Sequence, residues 1–131
     1  MHKIVQPKGW PRPKGYANGI IAEGKMFFVA GQVGWNKKEE FESDDFVKQT
    51  EQALKNIVAV LTEGGAKPEH IARMTWYVTS KSDYLDRLPE IGKVYKAVIG
   101  AVYPTMSLVQ VAGLVETGAK LEIEATAVVP N

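Results

Sequence analysis

Hydrophobic and polar positions along the chain fall into blocks that predict two helices set among five strands. From about Asp44 to Glu63, the residues Phe46, Thr50, Ala53, Leu54, Ile57 and Leu61 recur every three or four positions, the period of one helix face. Ser43, Asp44 and Asp45 supply a cap and negative charge at its start, and Gly64-Gly65 supplies a stop. A second helix is predicted from about Asp83 to Ile99 by Leu85, Leu88, Ile91, Tyr95 and Val98, with Pro89 implying an irregular first turn. Between them, Arg73, Thr75 and Tyr77 alternate with Ala72, Met74, Trp76 and Val78, a strand over Ile71–Thr79. Met26 to Ala30 is unbroken apolar sequence, expected of a strand buried on both faces. Across the short turn Glu23-Gly24-Lys25 it reads as a hairpin with Gly19–Ala22. Thr105–Ala112 and Lys120–Val128 likewise alternate and read as a hairpin around Gly113 and Gly118. Met106, Leu108 and Gln110 share one face of its first strand; Glu122, Glu124 and Thr126 share one face of its second. Pro7, Pro11 and Pro13 make the first fifteen residues an extended arm, with a short strand at Lys3–Val5.

This order predicts an α+β fold, a mixed sheet with two helices packed on one face, as a single domain over residues 1–131. In the hairpin register the opposite face carries Glu122, Glu124 and Thr126 beside Met106, Leu108 and Gln110. Aliphatics mixed with isolated carboxylates suit an interface between copies better than core or solvent surface. Charge adds little: 16 basic and 15 acidic residues leave a net +1, no field for nucleic acid or an anionic membrane. Lys3, Lys8, Arg12 and Lys14 give the arm a positive cast, read as a solvated surface. With no cysteine there is no disulfide, thiol nucleophile or zinc–thiolate site. His2 and His70 have no acidic partner at ligand spacing, so no metal and no cofactor is expected. No signal-like apolar run begins the sequence, and the expected location is the cytoplasm.

The stretch Tyr103–Ala127 carries the most specific pattern. Pro104-Thr105-Met106-Ser107, Val109-Gln110-Val111-Ala112-Gly113-Leu114 and Leu121-Glu122-Ile123-Glu124-Ala125 resemble the C-terminal signature of the RidA/YjgF family. These are imine/enamine deaminases, also called L-PSP endoribonucleases or translation initiation inhibitors. The family signature runs roughly Pro-Ala-Arg-Ser, then Val-x-Val-Ala-x-Leu, then Val-Glu-Ile-Glu-Ala. The family arginine corresponds to Met106, which makes this chain similar to an Arg-lacking subgroup. The resemblance implies a chorismate mutase-like fold and a homotrimer around a central β-barrel, with small-molecule ligands held in clefts between subunits.

It also implies roles. Glu122 matches the glutamate that holds the attacking water, and a carboxylate in an interface cleft is poised for acid–base work. The plainer reading pairs it with a cation across the interface. Tyr16 matches a pocket tyrosine that orients substrate or water, or else is an interfacial aromatic. Gly31, in Ala30-Gly31-Gln32, matches a point of close backbone approach to ligand. Met106 and Leu108 replace the family arginine and a frequent cysteine with apolar groups, and Gly92 stands where many members have asparagine. Trp35 is a candidate ring-stacking wall of the pocket, whereas Trp76 reads as core. Losing a bidentate arginine–carboxylate pair removes two bonds of about 1.5–3 kcal/mol each, so the usual 2-imino acids fit poorly. The expected activity is hydrolytic deamination of another small imine or enamine. The alternatives are a non-catalytic metabolite-binding or chaperone-like module and, with neither paired histidines nor an aromatic–basic stripe behind it, a ribonuclease.

Overall fold

A computed structural model describes residues 2–131. The elements in chain order are β1 (Lys3–Val5), β2 (Gly19–Ile21), β3 (Lys25–Val33), α1 (Phe46–Glu63), a 3-10 turn (Pro68–His70), β4 (Ile71–Val78), α2 (Lys81–Leu85), α3 (Leu88–Val98), β5 (Thr105–Gln110) and β6 (Leu121–Val129). The main sheet runs β3-β6-β4-β5, with β4 and β5 parallel and the other pairs antiparallel. A parallel pair cannot be closed by a tight turn, and α2 and α3 provide the crossover between β4 and β5.

The predicted helices are present. All six residues of the α1 stripe are buried, and the Asp45 side chain caps the helix by accepting from Lys48 N at 3.0 Å. The second helix is broken after Leu85 and restarts at Leu88, with Pro89 in its first turn, where a missing N–H costs nothing. Both helix layers cover one sheet face, enclosing Ile71, Met74, Trp76 and Val78 of β4 with Leu121, Ile123, Ala125 and Ala127 of β6.

Gln49 ties this layer to the entry of β6. It is 1% exposed, and its amide donates to Ser43 O and Gly118 O and accepts from Lys120 N.

Neither predicted hairpin forms. β2 pairs with β1, while β3 pairs with β6 from Lys25↔Val129 onward. β4 lies between β5 and β6, so the last two strands are not neighbours. The insertion changes which side chains share a face. Met106 stands opposite Met74 and Leu108 opposite Trp76, on the helix-covered side. Glu122 and Glu124 stand opposite Tyr77 and Thr75, on the open side. The expected grouping of Met106, Leu108 and Gln110 with Glu122 is therefore corrected: alternation places them on opposite faces.

The apolar run in β3 is likewise buried on one side alone. Val29 is buried, whereas Met26 and Phe28 are 58% and 72% exposed on the open face, which no helix covers.

Candidate functional site

The chemistry-bearing residues fall into two groups separated by the thickness of the sheet. The first is on the open face at a β-bulge in β3, where the register against β6 shifts between Val29 and Gln32. Gly31 occupies this bulge, and the Glu122 side chain lies across it. A Cβ added at Gly31 would come within 2.3 Å of Glu122 Oε2. Among the described residues, Glu122 has no hydrogen-bond or ion-pair partner in its own protomer. Its neighbour Glu124 differs, since it accepts from Tyr77 Oη. Donating to that carboxylate raises the Tyr77 hydroxyl above the ordinary phenol range. One open-face carboxylate is thus engaged in structure, and the other is free.

The second group lines a cleft on the helix side, at the open edge beyond β5. A hollow of about 590 Å³ is walled by Trp76, Tyr84, Tyr95 and Tyr103, with Met106 also lining it and Gly92 on α3 opening onto it. An adjoining hollow of about 200 Å³ shares Trp76, Tyr84 and Met106 and adds Tyr16 and Leu108. Tyr95 stacks on Tyr103 with ring centres 5.7 Å apart, and Trp76 meets Tyr84 edge-on at 6.1 Å. Tyr95 Oη donates to Val102 O, and burial holds its ionisation well above the ordinary phenol range, with Tyr103 adding to the effect. Burial also raises the Tyr84 hydroxyl. Tyr16 is held near β5 because Ala17 N donates to Pro104 O and Ala17 bridges to Thr105.

Tyr16, Met106, Leu108 and Gly92 therefore come together, and Glu122 joins Gly31, but the two groups do not meet within one protomer. Trp35 belongs to neither. It packs on Phe41 at 5.7 Å, and its carbonyl accepts from Asn56, which fixes the loop after β3. The cleft's tryptophan is Trp76, a core residue that is also a wall. Arg12 and Lys14 also line the larger hollow, although the sequence reads them as a solvated arm. Their proline-flanked spacing carries no signal of an inward turn.

An α+β protomer with an open, carboxylate-bearing sheet face and an aromatic cleft at the sheet edge defines the class structurally. The chain belongs to the Endoribonuclease L-PSP family, the RidA/YjgF proteins, whose family model matches residues 11–129. It is 31% identical over 130 residues to a RutC family protein of Aquifex aeolicus, covering 98% of this chain and 99% of that one. It is 30% identical over 132 residues to the 2-iminobutanoate/2-iminopropanoate deaminase of Salmonella typhimurium, covering 98% of each. Among solved structures, the Rid family protein YyfB of Yersinia pestis superposes with a TM-score of 0.86 at 29% identity, covering 98% of each chain.

Proposed function

We propose that this protein is a hydrolytic deaminase of a small imine or enamine, with Glu122 as its proton-transferring group. The observation that carries the reading is the free Glu122 carboxylate seated on Gly31, beside a Glu124 already engaged by Tyr77. A carboxylate with vacant acceptor positions can hold a water and take its proton as the oxygen adds to the C=N carbon. The new C–O bond makes a carbinolamine. Returning that proton to nitrogen completes the neutral carbinolamine; Glu122 then carries the hydroxyl proton to the nitrogen, so that C=O forms as the C–N bond breaks and ammonia leaves. An enamine enters the same sequence once protonated at carbon. Deaminase activity in the Salmonella typhimurium relative supports this reaction class. The Met106 and Leu108 side of the cleft lacks the bidentate anchor a 2-carboxylate would need, so the substrate is not the usual 2-imino acid.

The reading requires a second copy. Glu122 and the Met106 cleft lie on opposite sheet faces, and only another protomer can bring one to the other. Exposed Met26 and Phe28 on the same open face as Glu122 favour its being covered. We infer a cytoplasmic homotrimer with ligand clefts between subunits. In this assembly Tyr16 and Met106 of one copy face Glu122 and Gly31 of the next.

The separation of Glu122 from the cleft also favours a second reading, a metabolite-binding module without turnover. The test is Glu122→Gln, assayed by ammonia release from imines generated in situ, with oligomeric state followed by light scattering. The deaminase reading expects loss of turnover in an intact oligomer. Full activity in the variant overturns it, and ligand binding without turnover in the unaltered protein supports the second reading.

A further inference from the structure

The family arginine is missing at position 106, yet the cleft that Met106 lines is not without cations. Arg12 and Lys14 line its larger hollow, and no carboxylate does. Neither side chain has a hydrogen-bond or ion-pair partner among the described residues. Their loop is held from both ends. Gln6 donates to Pro11 O and accepts from Asn18, and Ala17 N donates to Pro104 O. Pro11 and Pro13 fix φ on either side of Arg12. The two cations are thus presented by a restrained segment, which lowers the ordering cost of binding.

Three further observations define what they would face. The walls are flat and aromatic, with the Tyr95–Tyr103 stack on one side and the Trp76–Tyr84 pair on another. At Gly92 an added Cβ meets nothing within 4 Å, so the helix leaves the hollow wide there. Trp76 Nε1 is the only buried side-chain polar atom without a partner among the described residues, so this wall carries an unsatisfied donor. A hollow of about 590 Å³ is far larger than a four-carbon imino acid requires, and suits a ring.

We propose that Arg12 and Lys14 hold the carboxylate of a planar, ring-bearing ligand whose ring lies against the aromatic walls of this cleft. The inference rests on the reading of the cleft as the substrate site and names its ligand class. The anion is bound by Arg12 and Lys14 instead of at position 106. It therefore sits away from the position a 2-carboxylate would occupy, which reconciles an anionic substrate with the loss of the family anchor. An aromatic face retains the ring, and the paired cations select for charge.

Calorimetric titration of the intact protein with indole-3-acetate, indole-3-acetamide and acetate, at fixed ionic strength, tests the proposal. Indole-3-acetate is expected to bind about tenfold or more tightly than its uncharged amide, as one charge-assisted contact would produce, and acetate not measurably. The double variant Arg12→Gln/Lys14→Gln should lose that preference while binding the amide within about twofold of the unaltered protein. Both residues are exposed, so the fold does not depend on them. In the unaltered protein, raising salt should weaken the acetate derivative and spare the amide. Equal affinity for the two indoles, an unchanged preference in the double variant, or no binding of either ring overturns the proposal. The same titrations on Glu122→Gln separate the two questions: a catalytically dead protein that still prefers indole-3-acetate supports this inference, and turnover that persists there refutes only the assigned proton-transfer role.

Discussion

Replacing Gly31 by alanine asks whether the Glu122 carboxylate must lie where the β3 bulge allows it to lie. The new Cβ would stand 2.3 Å from Oε2, 2.7 Å from Cδ and 2.9 Å from Cγ. Comfortable contacts between such atoms are about 3.5–4.0 Å, so the carboxylate has to withdraw by roughly 1 Å or more. What it strikes is the far end of a rotatable side chain, so the backbone need not move. The expected change in folding stability is within about 1 kcal/mol. Catalysis is less forgiving, since a misplacement of about 1 Å costs on the order of a hundredfold in rate, or about 2.7 kcal/mol in the barrier. We therefore expect kcat for ammonia release to fall about a hundredfold while the melting temperature moves by only a few degrees. Combining Gly31→Ala with Glu122→Gln should add nothing further, because both changes remove one function. Unchanged turnover in Gly31→Ala would refute the role given to Glu122. A loss of activity matched by a comparable loss of stability would show that Gly31 serves the fold instead.

Met106→Arg should introduce or raise activity toward 2-iminobutanoate by restoring a carboxylate anchor beside the hollow, and no gain in kcat/KM would reject that account. Gln49→Ala removes the three partly buried hydrogen bonds of a buried side chain and should cost roughly 3 kcal/mol in urea denaturation; less than about 1 kcal/mol would mean Gln49 is not the tie described. Arg87, donating to Asp45, holds that carboxyl below its ordinary value of 3.8, as does the Lys48 backbone N–H. A depressed carboxyl stabilises the fold above its unfolded value and loses that effect as pH falls through the folded one. The stability difference between the unaltered protein and Asp45→Asn should accordingly be present near neutrality and shrink below about pH 3.8, and a pH-independent difference would refute the pairing.

Local periodicity made the elements legible. The α1 stripe, a cap within Ser43–Asp45 that the fold assigns to Asp45, the β4 alternation and the disturbance at Pro89 all depend on neighbours within one or two turns of the chain, and all are where the pattern puts them. The motif from Pro104 to Ala125 likewise led to the family, because a family signature is written in residue order.

Strand partnership was not legible, since alternation says which residues share a side of one strand and is silent on which strand lies next to it. Once β4 enters between β5 and β6, Met106 turns toward the helices and Glu122 toward the open face. The inward reach of Arg12 and Lys14 was invisible for a similar reason, as it depends on a loop pinned to Pro104, far along the chain. Composition and spacing are local records of propensity. Contacts between distant segments arise when apolar surface is buried jointly, and the two halves of this site are placed by those contacts.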